Sequence, residues 1–582
     1  MTVAEKAGIM ILPVLVGNAP FGKRATGYDA ASLQDLVRTK HASAFSLMGE
    51  MTVSDLAKGA NTIQAEIENT RLGIPALLAT DPRHGYQKTF AMSVGNGGFS
   101  QWPDPTGFGA IGDPALVRSF AELVRRDYRA VGFGLALSPQ ADLATEPRWP
   151  RVSGTFGEDS ATVAPLVAAY VEGLQGSASG VIADGIAATV KHWVGYGAAA
   201  NHGLDSHNFY GRFAALQSQD LANHLKPFEA AFKVNVSSVM PAYSIFRGLS
   251  VGGKPVEPVG AGFSRVLIDN LLRKKYGFNG VVLSDWGISA DCIESCRNGS
   301  ASTKSPGFES ISMAWGVQNL TRPQRFAKSI NAGVDQLGGE PDTLPLIAAV
   351  RYGLISQKRL DAAVIRILIQ RFDLGLFENP FVDVGLAQSQ VGRTADIAAG
   401  RAAQAKAMVI LEVRDKLHLI PGRTRLYLKG MDAAAARAAG FEVADDPAKA
   451  DVAVIRLSAP YQRLHPNYFF GSIQHEGSLA FPLDDKDIAD VRALSAHMPT
   501  VVDIYLDRPA ILTPLKGSSA MLLVDFGASD AVLFDVLTHR LEAVGRLPFE
   551  LPRSMKAVDA QDPSKPADSK DPLYPLHYSA SY

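Results

Sequence analysis

Gly280-Val-Val-Leu-Ser-Asp-Trp-Gly287 orders the reading of the whole chain. Three apolar β-formers lead into a serine, an aspartate and a tryptophan, and a glycine ends the run. A short continuous apolar run bounded by a turn residue reads as a strand buried on both faces, the kind found in parallel sheets. Similar runs stand at ILPVLV (11–16), SAFSLM (43–48), PALLAT (75–80), GFGLALSP (132–139), AATVKH (187–192), SSVMPA (237–242) and GVDQLG (333–338), making eight with GVVLSD (280–285). Helical stretches such as 113–131 and 163–176 lie between several of them. Strands alternating with helices in this number predict an α/β chain whose residues 1–385 form a (β/α)8 barrel.

Chemistry in such barrels collects at the C-terminal ends of the strands. Those ends carry Asp81, then Asp142 and Arg151, then Lys191 and His192, Tyr243, and finally Asp285 with Trp286. Polar groups at the tops of otherwise apolar strands are poor core material. A metal site would want more convergent ligands, and His192, His202 and His207 are separate loop residues. No GxGxxG opens a helix after the first strand, and neither a Walker A lysine motif nor a GxSxG elbow is present. The residues therefore call for no cofactor. What remains is a carboxylate among hydrogen-bonding side chains and aromatic rings. That set suits a polyhydroxylated ring with an apolar face. Hydrolysis of a glycosidic bond then needs two carboxyl groups flanking it, and Asp285 is the first.

Residues 386–404 read as a linker running into a helix. Strands are then expected at 407–413, 424–430, 451–458, 500–506 and 520–527, with helical pieces between them. This predicts a smaller α/β sandwich with a mostly parallel sheet over 405–553. The tail, 554–582, is rich in Pro, Asp, Ser and Tyr without clear periodicity and should pack on the surface.

With 57 Lys and Arg against 58 Asp and Glu, the chain has no electrostatic footprint for nucleic acid. No apolar run reaches the roughly 18 residues of a membrane span. The opening MTVAEKAGIMILPVLVG lacks a basic flank and a small-residue cleavage pattern, so it reads as a helix running into a strand. A periplasmic or secreted location would require a leader removed upstream; otherwise the location is cytoplasmic. A homodimer is compatible with the sequence. The two cysteines, Cys292 and Cys296, suit either one helix face or a small loop closed by a disulfide.

The set MTVAEKAG, TDPRHG (80–85), RWPRVSGTFGED (148–159), VKHWVGYG (190–197), SVMPAYS (238–244), GVVLSDWG (280–287), GRLPFELPRS (545–554) and DPLYPL (571–576) resembles glycoside hydrolase family 3 over essentially the whole chain. Members with this two-domain build are retaining, exo-acting β-glucosidases and glucan glucohydrolases. The resemblance implies that Asp285 is the nucleophile and that Asp81, Arg151, Lys191 and His192 bind the hydroxyls of the terminal sugar. It places Tyr243 beside the nucleophile and Trp286 toward the aglycone.

In this family the proton donor usually comes from a second-domain loop, here SAPYQRLHPNYFFGSIQHEGSLAF (458–481). Many relatives carry a glutamate soon after the Pro-Tyr pair, where this chain has Gln462 and Arg463. Glu476, the remaining carboxylate of the loop, is the expected acid. The rival is Asp205 with His207, because β-N-acetylglucosaminidases of the family use an Asp-His pair on a barrel loop. Their lysine-histidine motif runs on as Phe-Pro-Gly-His, whereas here Trp193-Val-Gly-Tyr196 follows. Asp205 and His207 are therefore expected to bind sugar or order the loop. A β-xylosidase or a β-N-acetylglucosaminidase of the same family, a sugar-binding homologue impaired in turnover, and an aldolase using Lys191 as a Schiff base are the other readings.

Overall fold

The computed structural model describes residues 1–20, 22–86, 97–302, 304–415 and 417–580. Eight parallel strands close a barrel: β1 (Ile11–Leu12, continued by Val14–Val16), β2 (Ala44–Met48), β3 (Leu77–Thr80), β4 (Leu135–Ala136), β5 (Ala187–Trp193), β6 (Ser238–Pro241), β7 (Val281–Val282) and β8 (Leu337–Gly338). Pro13, with no N–H to donate, divides β1. The first half pairs with β8 (Ile11↔Leu337) and the second with β2 (Val14↔Ser46). A single parallel bridge, Leu283↔Gln336, joins β7 to β8 and completes the ring.

Alternation along the strands fills the barrel from inside and clothes it from outside. Leu12, Ala44, Leu77, Ala79, Leu135, Leu137, Ala187, Met240 and Leu283 form one apolar cluster. Their neighbours Phe45, Leu78, Ala136 and Ala188 belong instead to the larger core shared with the helices. The helix Pro114–Ala130 starts where Asp113 accepts from the N–H groups of Ala115 and Leu116. The helix Ser160–Gln175 ends at Gly176, whose φ of +79° is the left-handed cap that glycine adopts without strain.

The second sheet has six strands: β9 (Val409–Val413), β10 (Arg425–Lys429), β11 (Glu442–Ala444), β12 (Val452–Ser458), β13 (Thr500–Tyr505) and β14 (Met521–Asp525). Their order is β9-β14-β13-β12-β10-β11, parallel except for the β9–β14 pair. The short edge strand β11 is the one the sequence did not suggest. Residues 386–404 are largely helical, falling within Val384–Gln390 and Thr394–Ala407. Gln404 bonds to both sides, donating to the Gln101 carbonyl at 3.0 Å and accepting from Ser529 N at 3.1 Å.

Beyond the second sheet, the tail ties the two units together. His224 of the barrel meets the Ser564 carbonyl at 3.0 Å, and Ala580 N donates to Ile410 O of β9 at 2.7 Å. Leu573 and Tyr574 of this tail are buried. Cys292 and Cys296, in the loop after β7, are joined by a disulfide. Among the described residues no helix is long and apolar enough to cross a membrane.

One feature of this arrangement positions the site. The C-terminal ends of β13 and β14 face the C-terminal mouth of the barrel. Tyr505, at the end of β13, donates to Asp104 at 2.7 Å, and Asp104 N donates to Phe526 O just after β14 at 2.9 Å. Arg508 donates to the Arg148 carbonyl at 2.9 Å. Loops from both parallel sheets thus wall the same cleft, where ligands of such sheets bind.

Candidate active site

The cleft holds a cavity of about 450 Å³. From the barrel it is lined by Asp81, Arg151, Lys191, His192, His207, Asp285 and Trp286. From the second domain come Phe470, Ile473, Gln474, His475 and Asp507. Tyr243 and Asp205 stand behind this lining and act on it through hydrogen bonds.

The end of β7 explains how Asp285 is presented. Ser284 Oγ accepts from Gly338 N at 3.0 Å and donates to the Asp285 carbonyl at 2.9 Å, tying the strand end to β8. Asp285 Oδ1 accepts from the Tyr243 hydroxyl at 2.6 Å and from Trp286 N at 2.8 Å. Oδ2 is buried, and no hydrogen-bond donor among the described residues reaches it. His192 Nε2 stands 3.6 Å from it. One oxygen is therefore clamped while the other stays uncommitted beside the cavity. Burial and the Asp285 carboxylate both push the Tyr243 phenol well up, so it remains a donor. The Trp286 indole rests on Gly338 and Gly339. A β-carbon at either position would come within 2.6 or 2.5 Å of the ring, which explains the Gly-Gly end of β8.

Lys191 and His192 leave β5 side by side. Lys191 Nζ donates to Asp81 Oδ1, at the end of β3, across 3.2 Å. His192 Nδ1 bonds Asp142 at 2.8 Å, and its peptide N–H points to the same carboxylate at 3.3 Å. Burial, with the charges of Arg151 and Lys191, holds the imidazole well below its ordinary range, so it is neutral. Burial also raises the Asp142 carboxyl to about 7, against the pull of Arg151. With Nδ1 facing Asp142, Nε2 is left to Arg151 Nη2 at 3.4 Å. Arg151 lies with its guanidinium carbon 5.2 Å from the Tyr196 ring centre, and its Nη1 is buried without an acceptor among the described residues. Free polar atoms that face a cavity are what a polyol would satisfy. Asp142 stood among the strand-end residues in the sequence but had no role there. Its function here is to fix the ring of His192.

Asp205 and His207 are also paired, through Nδ1 at 2.5 Å. Trp149 Nε1 and Gln474 Nε2 add bonds to Asp205 at 2.8 and 3.0 Å. Burial alone would raise this carboxyl, but His207 and Arg151 hold it below the usual carboxylate range. The His207 ring is wedged between Tyr243 and Phe470, at centroid distances of 4.9 and 4.6 Å.

Glu476 is placed differently. It is buried, with Oε1 accepting from Tyr210 of a barrel loop at 2.6 Å and Oε2 bonded to His465 Nδ1 at 2.8 Å. It does not line the cavity. Gln462 pairs with it through the backbone, at 2.8 and 2.9 Å. His475, one residue earlier, does line the cavity, with Nδ1 bonded to Asp507 at 2.5 Å and the Tyr461 ring stacked on it at 3.6 Å.

Comparison with known proteins agrees with this architecture. The model of the glycosyl hydrolase family 3 N terminal domain matches residues 26–369, more than half of the chain. The chain belongs to glycosyl hydrolase family 3. Among curated members, a periplasmic beta-glucosidase/beta-xylosidase of Dickeya chrysanthemi is 45% identical over 99% of this chain and 88% of its own length. Beta-glucosidase C of Emericella nidulans is 36% identical over 100% of this chain and 91% of that protein. In three dimensions, the beta-glucosidase of Listeria innocua solved in complex with glucose superposes with a TM-score of 0.76 at 23% identity. That superposition covers 100% of this chain and 82% of the Listeria chain, and it speaks for the fold. This family 3 chain is accordingly a glycoside hydrolase of the two-domain type, with its cleft at the junction of the domains.

Proposed function

We propose that the enzyme releases a terminal β-D-glucose from oligosaccharides or glycosides with retention of configuration. The observation that carries the reading is the asymmetric environment of Asp285, with one oxygen held by two donors and the other free beside the cavity. A carboxylate bound in this way is oriented without being neutralised at the atom that must attack. In the first step Asp285 Oδ2 forms an ester to the anomeric carbon while the bond to the leaving oxygen breaks and a proton reaches that oxygen. In the second step water, losing a proton to the same group, displaces Asp285 and gives the β-sugar. The 450 Å³ cavity, with Asp81, Lys191, Arg151 and His192 around it, supplies donors and acceptors for the hydroxyls of one sugar ring. Trp286 and the second-domain loop frame the side from which the aglycone leaves.

A β-xylosidase activity is the second reading, favoured by the name of the Dickeya relative, which joins beta-glucosidase with beta-xylosidase. Both sugars would use the same Asp285 chemistry. A 2-deoxy-2-fluoro-β-glucoside with a good leaving group tests the mechanism. Trapped enzyme should carry the label on Asp285 when its peptides are sequenced, and a label on any other carboxylate would refute the assignment. Aryl β-glucoside against aryl β-xyloside turnover decides between the two sugars.

A further inference from the structure

The reaction needs a proton donor on the leaving-group side, and the loop expected to supply it places two titratable neighbours on opposite faces. Gln462 and Glu476 pair through their backbones as a short antiparallel bridge. In such extended chain successive side chains point to opposite sides. Glu476 turns toward Tyr210 and His465, which occupy both of its oxygens. His475 turns the other way, into the cavity that holds Asp285 and Trp286.

We propose that His475, oriented by Asp507, is the acid and base of this enzyme, and that Glu476 latches the loop to the barrel. The proposal rests on Asp285 being the nucleophile. Asp507 lines the cavity as well, on the loop just after β13, and bonds His475 Nδ1 at 2.5 Å. The Tyr461 ring lies flat on the imidazole at 3.6 Å with an interplanar angle of 9°, fixing its plane. Both constraints leave Nε2 as the exchanging position, and no hydrogen-bond partner among the described residues engages it. A carboxylate on Nδ1 sets the tautomer and offsets the charge of the imidazolium, the same division of labour as in a hydrolase triad.

The steps balance. The Nε2 proton passes to the glycosidic oxygen as the C1–O bond breaks and the Asp285–C1 ester forms. Neutral Nε2 then takes a proton from the water that attacks C1, the ester breaks, and the imidazolium is regenerated with the sugar released as the β-anomer. The Asp205–His207 pair also reaches the cavity, but its ring is wedged between Tyr243 and Phe470, beside the residue that clamps Asp285. It packs on Tyr243, the hydroxyl donor to Asp285 Oδ1. The side chain of His475 is 30% exposed, against 6% for His207, as suits a group at the side where the aglycone departs.

The test compares His475→Ala with Glu476→Gln, using cellobiose and 2,4-dinitrophenyl β-glucoside. A donor matters for a sugar hydroxyl and little for a dinitrophenolate, and general acid catalysis contributes about 10²–10⁴-fold. His475→Ala should lose activity on cellobiose by roughly that factor while still forming the glycosyl-enzyme from the aryl substrate. Azide should then accelerate turnover and give β-glucosyl azide. Asp507→Asn should show the same substrate selectivity to a smaller degree, which provides a second variant if His475→Ala folds poorly. Glu476→Gln should show neither the selectivity nor the azide product. Azide rescue of Glu476→Gln in place of His475→Ala would overturn the proposal, as would equal losses on both substrates without rescue. Fluoroglucoside labelling of His475→Ala separates the two claims. If the label moves away from Asp285, the nucleophile assignment fails; if it stays while rescue is absent, only the donor assignment fails.

Discussion

The two walls of the cleft are built differently. On the barrel side, Asp81, Lys191, His192, Asp285 and Trp286 stand at the ends of parallel strands, and their placement follows from strand register. On the other side, Phe470, Gln474, His475 and Asp507 come from loops after β12 and β13. A strand end fixes both the position and the direction of a side chain, whereas a loop can present either of two neighbours by a one-residue change of face. A carboxylate at a strand end is thus placed by the strand register, whereas a group across the cleft depends on loop geometry.

The largest effect should come from the barrel wall. Asp285→Asn should keep the fold and lose on the order of 10⁴–10⁶ in kcat, the range seen when a covalent nucleophile or its base is removed. Steady-state rates with an unchanged melting temperature check this. Retention of more than a hundredth of the activity, or about that, would break the comparison at its strong side. Next, Tyr243→Phe removes one of the two donors to Asp285 Oδ1. A hydrogen bond to a charged group is worth about 1.5–3 kcal/mol, so kcat should fall roughly 10- to 150-fold on both disaccharide and activated aryl substrates. A loss confined to poor leaving groups would instead place Tyr243 with the proton donor.

Legibility followed the same division. All eight barrel strands were visible in the sequence because apolar runs ending in polar residues recur along it, and even the break at Pro13 lies inside one of those runs. The three-residue strand β11 was not visible, since Glu442–Ala444 is too short to show a period. The sequence of residues 386–404 suggests a linker running into a helix; most of the segment is helical, with Thr394–Ala407 packed between Gln101 and Ser529 through Gln404. Within the site, Asp142 had no assigned role because a carboxylate that only orients a histidine looks like any other at a strand end. His475 and Glu476 are adjacent in sequence, and the resemblance to relatives with a donor on this loop points to its remaining carboxylate, Glu476. The partner that marks His475, Asp507, lies 32 residues away and carries no local motif.

A smaller effect sharpens the role of the loop latch. Tyr210→Phe removes the 2.6 Å bond to Glu476 and should lower stability by about 1–3 kcal/mol, the cost of leaving a buried acceptor short of a donor. Thermal unfolding should report this, and the catalytic loss should not depend on the leaving group. The smallest effect concerns Glu158, which receives Glu550 N at 2.7 Å and Ala567 N at 3.0 Å and so ties the barrel to the C-terminal region. Burial raises its carboxyl from 4.5 to about 8. The folded state thus binds this proton more tightly than the unfolded chain. Its contribution to stability is full below pH 4.5 and is lost as pH rises toward 8. Glu158→Gln, which cannot ionise, should flatten the fall of melting temperature across that window by about a degree or two. An unchanged slope would show that Glu158 does not govern it.

The anomer formed first reports most directly on attack by Asp285. A proton NMR time course of cellobiose or aryl β-glucoside hydrolysis, recorded faster than mutarotation, should show the β-anomer of glucose appearing first. The α-anomer should then grow only by mutarotation. Appearance of α-glucose as the first product would mean a single displacement by water, and would contradict the assignment of Asp285 as nucleophile.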